Sequence, residues 1–146
     1  MSKYITEDYV SFEIAKFLKE KGFDERCFCI NYPLSEGGHH NIILPNLLNN
    51  STIPLTNEYK FCRYKEDFIT IPTLQMVMKW LREVHKILIT IIPQEVNVGI
   101  DRMCYGIYRI TEDSYIPLYN GKVDNLVDSY EKVVEAAIKY VLENLI

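Results

Sequence analysis

The run Gly37-Gly38-His39-His40 holds the residue types best suited to chemistry in this chain. Paired glycines can turn backbone amides toward an anion, and an imidazole can shuttle protons near neutral pH. His39 and His40 are therefore candidate ligand-binding residues, and they would also serve a small hydrolase or nuclease. No phosphate-loop lysine follows the glycines, and no strand is expected to lead directly into the run. A flexible, solvated loop is the favoured interpretation.

An aromatic and basic cluster follows in residues 58–65. Such residues can stack on and clamp a nucleotide or a single strand. The candidate ligand-binding residues in it are Tyr59, Arg63, Tyr64 and Lys65. The same stretch predicts a β-strand, on which these side chains would divide between two faces, so an ordinary half-exposed strand is the competing interpretation.

The four cysteines raise the alternative of a soft-metal site. Cys27 and Cys29 are expected on one side of a strand, where Cys62, Cys104, His39 and His40 could join them. The spacing differs from the Cys-x-x-Cys pairs of common zinc sites. We therefore favour buried, reduced thiols that act as small apolar side chains, and we predict no metal and no cofactor.

The sequence offers no support for a serine nucleophile or a carboxylate dyad. No serine lies in a Gly-x-Ser-x-Gly elbow. The acidic pairs Glu66-Asp67 and Glu112-Asp113 fall in turn-like stretches, where solvated charge is the default. We predict no catalytic residue.

The elements that must position these residues are easier to read, and the clearest is a helix over residues 73–86. Its polar side chains close into one face, which leaves a broad apolar arc of the kind that packs on a sheet. His85 lies in that arc and is expected to be a core residue bonded to a backbone carbonyl. Met76 and Trp80 widen the arc at i, i+4 spacing, and they are either core or our first choice for a subunit contact.

Two further helices are expected near the ends of the chain. The first covers residues 12–21, with Ser11 as N-cap, Gly22 as the left-handed residue that ends it, and Phe23 folding back on the helix. The last begins at Asp128, where Glu131 would complete a capping box.

Strands are expected between these helices. The predicted stretches are residues 26–32, 58–64, 68–71 and 88–92, then an antiparallel pair over 103–110 and 115–119. Pro93 is expected to stop the strand that precedes it. Together the elements predict a single α+β domain over residues 1–146, with two or three helices on one face of a small, mostly antiparallel sheet. Residues 33–57 are expected to be an irregular loop or a hairpin insertion.

Charge and hydropathy narrow the classes of partner. The net charge is −4, and residues 1–71 and 72–146 each carry eight basic and ten acidic side chains, which argues against a general nucleic-acid binder. The order helix, three strands, helix after residue 72 follows a double-stranded RNA-binding domain, but the last helix would open on acidic residues. No stretch has the length of a signal peptide or a membrane span, so a cytoplasmic location and no membrane partner are expected.

Three segments resemble a set of small uncharacterised proteins of gut Bacteroidales genomes, prophages and mobile elements. They are YVSFEIAKFLKEKGFD at residues 9–24, PTLQMVMKWLREVH at 72–85 and SYEKVVEAAI at 129–138. These are packing motifs, and residues 33–57 have no counterpart. The resemblance implies a phage or mobile-element origin and supplies no catalytic residue.

Our leading hypothesis is therefore a non-enzymatic accessory protein of phage type, counter-defence or regulatory, that acts through protein contacts as a homo-oligomer or on a host protein. The alternative is a sponge or sensor for a nucleotide-like small molecule, and a small hydrolase or nuclease comes third.

Overall fold

The computed structural model describes residues 8–33, 37–43, 57, 68–94, 102–122 and 129–146. These residues form three helices and two antiparallel three-stranded sheets, so the predicted α+β class is confirmed. The chain divides into two compact units, residues 1–73 and residues 74–146, and each unit contains one of the sheets. The sequence predicted a single sheet. The strand predicted at 58–64 lies outside the described residues.

The first unit begins with helix α1, Phe12–Glu20, whose ends match their sequence signals. Ser11 Oγ accepts a hydrogen bond from Ile14 N at 3.4 Å. Gly22 adopts φ +84°, and the Phe23 amide donates to the Leu18 carbonyl at 2.9 Å, as in a Schellman motif. Phe23 and Leu18 are both buried, so the cap also anchors the helix in its core.

The sheet of the first unit has the order β2-β1-β3, from β1 (Cys29–Pro33), β2 (His39–Ile43) and β3 (Ile69–Thr70). Of the two alternatives for residues 33–57, the described stretch 37–43 is thus part of a hairpin. Strand β1 ends at Pro33, and residues 34–36 lie outside the described residues, so the expectation that no strand leads directly into the glycine pair stays a prediction. Gly37 and Gly38 have φ +82° and +123°, conformations that favour glycine.

One side chain, that of Asn57, ties the end of α1 to strand β3. Its Nδ2 donates to the Phe23 carbonyl at 2.7 Å, and its Oδ1 accepts from the Thr70 amide at 3.0 Å. Both backbone groups would otherwise lack these bonds, and the ring of Phe23 is buried. No sequence pattern singles this asparagine out.

The second unit contains α2 (Leu74–Val84), β4 (Ile87–Gln94), β5 (Arg102–Ile110), β6 (Tyr115–Lys122) and α3 (Tyr130–Asn144). The sheet order is β4-β5-β6, and both helices pack on the same face. That face carries Ile87, Ile89, Tyr105 and Ile107, all buried. The antiparallel pair predicted across residues 111–114 is confirmed.

Two predicted boundaries are wrong. Helix α3 is capped by Ser129, whose Oγ accepts from the Lys132 amide at 3.3 Å, so the helix begins one residue later than predicted, and the predicted cap Asp128 lies outside the described residues. Pro93 does not stop β4, because it pairs with Met103 inside the strand.

The position of Pro93 follows from the hydrogen-bond pattern of an antiparallel ladder. The Ile110 amide donates to the Lys86 carbonyl at 2.7 Å, so Lys86 and every second residue after it face β5. Pro93 is out of phase with these residues, and its nitrogen points to the outer edge of the described sheet. A proline is tolerated there because no N–H is needed.

We predict that Asn57→Ala lowers the free energy of unfolding by about 1–3 kcal/mol, since it removes partners from a carbonyl and an amide at once. Urea unfolding followed by circular dichroism measures the loss. Asn120→Ala, at an exposed asparagine of β6, is the matched control and should change stability by no more than about 0.5 kcal/mol. Equal effects of the two substitutions would contradict the bridging role of Asn57.

Candidate functional site

Among the described residues of the second unit, the end of the β5–β6 hairpin carries the most exposed large apolar side chain. Tyr115 and Ile116 point to opposite faces of β6, yet they are 62% and 48% exposed. A strand that is exposed on both faces extends past the helices that cover the rest of its sheet. The hairpin therefore projects side chains that are free to contact another molecule.

A β-bulge brings Ile116 and Tyr119 to the same face. Tyr119 lies opposite Ile107 and Pro117 opposite Tyr108, which leaves Leu118 as an extra residue. Ile116 in turn pairs with Arg109, which is exposed and shares its face. We call Arg109, Ile116 and Tyr119 the hairpin strip. It lies on the helix-covered face, at the end that the helices leave open.

Tyr119 is held in place by a stack of aromatic rings. Its ring lies 3.9 Å from that of Tyr140 on α3, with 12° between the ring planes. On its other flank, Tyr105 lies at 6.1 Å with a tilt of 41°. Tyr119 nevertheless remains 38% exposed. A stacked ring has less rotational freedom to lose on binding than an isolated surface tyrosine.

Gly121 makes the stack possible because it has no side chain. A Cβ at this position would overlap the ring of Tyr105, which covers the backbone of β6. Burial, together with the nearby phenol groups of Tyr119 and Tyr140, raises the pKa of Tyr105. The neutral form of the Tyr105 phenol is therefore favoured inside this cluster of three rings.

The turn that closes the hairpin is rigid and acidic. The Thr111 amide donates to the Ser114 carbonyl at 2.9 Å, and the Ser114 amide donates to Thr111 Oγ1 at 3.1 Å. Glu112 and Asp113 occupy the two central positions and are exposed. Two negative charges thus lie a short distance from Arg109.

The predicted ligand-binding histidines lie elsewhere, in strand β2 of the first unit. His39 pairs with Pro33 and His40 with Tyr32. Both histidines therefore belong to a paired strand rather than to the flexible loop that the sequence favoured. The His40 side chain is exposed. The other predicted binding residues, Tyr59, Arg63, Tyr64 and Lys65, lie outside the described residues.

The residues of the predicted subunit contact, Met76 and Trp80, are not fully exposed. Trp80 is only 5% exposed, and its ring meets that of His85 edge-on at 4.4 Å. Trp80 therefore belongs to the core of the second unit, which was the alternative to a subunit contact. Met76 is half-buried. Self-association through these two residues stays a prediction, and it would require Trp80 to become uncovered.

Cys27 and Cys29 of the first unit are deeply buried. Burial raises the pKa of Cys27 to about 11; nearby Thr70 lowers it, while Cys29 and Glu25 raise it further. Thr70 Oγ1 itself makes no regular hydrogen bond within the described residues. Burial also raises the pKa of Cys29. Both thiols stay protonated at neutral pH, which disfavours nucleophilic attack and metal binding.

Among the described residues, no three His, Cys, Asp or Glu side chains converge as a metal site would require. None of the helices in this part of the chain combines the length and apolar character of a membrane span.

His85 follows the end of α2 and combines burial with an unmet hydrogen-bonding atom. Its Nε2 is buried and has no partner within the described residues, so the expected bond to a backbone carbonyl is not made by this atom. Burial lowers the pKa of His85. The neutral imidazole is therefore the form that the fold accepts.

No family model, no curated protein and no solved structure matches this chain. The hairpin strip is therefore identified from the geometry of this chain alone. Sequence reasoning missed the hairpin strip, although the alternation of residues 103–110 and 115–119 did locate the two strands that carry it. An additional signal was Gly121 beside a tyrosine-rich strand, since glycine in a strand often marks a close approach.

We predict that Gly121→Ala lowers the free energy of unfolding by about 1–3 kcal/mol, because the methyl group would overlap the buried ring of Tyr105. Urea unfolding measures the loss. In a Tyr105→Leu background the same substitution should cost less, since the overlapping ring is gone. An equal cost in both backgrounds would contradict the proposed overlap.

We predict that His85 makes the protein less stable in mild acid. Because the folded-state pKa is lowered, the unfolded chain binds a proton first, and stability falls as the pH drops below about 6.5. His85→Phe should flatten this part of the stability curve, measured as urea midpoints from pH 5 to pH 8. His40→Gln, which replaces an exposed histidine, is the control and should leave the slope unchanged; a slope that persists in His85→Phe would refute the assignment.

Proposed function

We propose that this chain is a non-enzymatic binding protein that acts through protein contacts, and that the hairpin strip is its contact surface. The observation that carries the proposal is Tyr119, an exposed ring already ordered by stacking on Tyr140 at 3.9 Å. Tyrosine and arginine are enriched among the residues that dominate binding energy at protein interfaces. The strip supplies one of each.

The composition of the strip favours a protein over a small molecule. Arg109, Ile116 and Tyr119 lie on an open, projecting hairpin, whereas small ligands are bound in concave sites that bury most of their surface. Ile116 is 48% exposed, and a flat partner surface would remove this apolar area from water. The strip thus combines an apolar centre, an aromatic anchor and a positive charge.

The non-enzymatic part of the proposal is supported by the state of the thiols. With a pKa of about 11, Cys27 is not a nucleophile at neutral pH. An accessory role in phages or mobile elements, directed at a host defence or regulatory factor, is the finer part of the proposal, and it rests on the sequence resemblance alone.

We expect Tyr119→Ala to remove the contacts that the wild-type protein makes, because it deletes the anchor and leaves Tyr140 without its stacking partner. The measurement is twofold: light scattering on the purified chain, and affinity capture from a bacterial host lysate with each variant as bait. A true contact should weaken by about tenfold or more, as expected for loss of an interface anchor.

Tyr130→Ala is the matched control, because Tyr130 is a tyrosine of the same 38% exposure on α3. It should leave both measurements unchanged. The proposal fails if the wild type is strictly monomeric and all three baits recover the same proteins.

A further inference from the structure

We infer that the hairpin strip receives a second copy of this chain, through a two-fold contact between two β5–β6 hairpins. This inference rests on the proposed function, since it names the partner of the same surface. Three features support it: the arrangement of charge along the hairpin, the exposed apolar residue beside Arg109, and a proline that removes an N–H from the outer edge of β6.

The charges of the hairpin are self-complementary. Arg109 is exposed, and so are Glu112 and Asp113 in the turn. Within the described residues, none of the three forms an ion pair in its own chain. Arg109 is the second-last residue of β5, and Glu112 follows it by three residues in the turn that closes the hairpin. One positive and one negative site are therefore carried on the same projecting arm.

A two-fold axis converts this spacing into two matched pairs. In such a contact, the same patch is used by both copies, and whatever one residue meets, its symmetry mate meets too. When two arms lie antiparallel, the turn of each copy reaches Arg109 of the other. The axis then passes near Thr111 and Ser114, the polar pair that lies between the two charged sites.

The apolar residues of the strip fit the same arrangement. Ile116 is the cross-strand neighbour of Arg109, so the partner's turn that reaches Arg109 also covers Ile116. The stacked ring of Tyr119 is the next side chain of β6 on this face after Ile116. It limits how far the partner's turn can move along the hairpin away from Arg109. The contact thereby buries an isoleucine that is 48% exposed in the single chain.

The backbone of β6 favours a contact through the face of the sheet over a contact through its edge. Ile110 donates toward β4, so its neighbour Arg109 faces β6, and Ile116 opposite Arg109 faces β5. Pro117 comes next, and its nitrogen therefore points to the outer edge of the described sheet. A proline at this position gives the edge no N–H for a ladder with another strand.

The test is a charge exchange on the full-length chain, followed by sedimentation velocity at low salt. One variant carries Arg109→Glu, and the other carries Glu112→Lys together with Asp113→Lys. Each should dimerise at least about tenfold more weakly than the wild type, because like charges then face each other twice. An equimolar mixture of the two variants should restore the dimer, since both pairs are again opposite in sign.

Arg82→Glu, a charge reversal at an exposed arginine of α2, is the matched control and should dimerise as the wild type does. Circular dichroism confirms that each variant is folded. A monomeric wild type, an Arg109→Glu variant that dimerises normally, or a mixture that stays monomeric would overturn the inference. If the wild type is monomeric but captures another protein through Tyr119, only the identity of the partner fails; if Tyr119→Ala changes nothing, the proposed function fails.

Discussion

The hairpin strip depends on one packing interaction, in which tyrosine rings of β5 lie over glycines of the same sheet. Tyr105 covers Gly121 on one face of the sheet, while the ring of Tyr108 lies over Gly106 on the other. Each ring occupies the space that a side chain at the glycine would fill. The ring of Tyr105 thereby connects β5 to β6, and the ring of Tyr108 packs along its own strand. On the helix-covered face, this arrangement places Tyr119 against α3. The exposed strip is thus attached to a helix as well as to its own strand.

Prolines shape what the sheet can do at its edges. Pro93 in β4 and Pro117 in β6 both sit where the missing N–H would point away from β5. An outer strand with a free row of N–H groups can recruit any extended chain, so a proline on each side lowers the risk of unselective sheet extension. The contact that we propose would then come from side chains, which can select a partner by shape and charge.

Local sequence signals predicted the helices well and the strand pairing less well. Ser11, Gly22 and Phe23 were assigned correctly because a helix cap depends on residues within about one turn of each other. Ser129 and Asp128 are both good N-caps, and the choice between them depends on the approach of the preceding chain. The strand nature of His39 and His40 depends on pairing with β1, a non-local interaction that short polar runs do not reveal. Asn57 is a further case, because its two partners are 34 and 13 residues away.

The hairpin strip shows most clearly why the candidate site could not be predicted from alternation. In a regular strand, Ile116 and Tyr119 would point to opposite faces, because they are three residues apart. The extra residue Leu118 changes the phase, so both side chains join Arg109 on one face. Because a bulge arises from the pairing of two strands, its position is not encoded in the pattern of either one. A periodicity argument therefore finds both strands yet assigns the surface of β6 to the wrong faces, and the surface we propose for binding is the one that this shift creates.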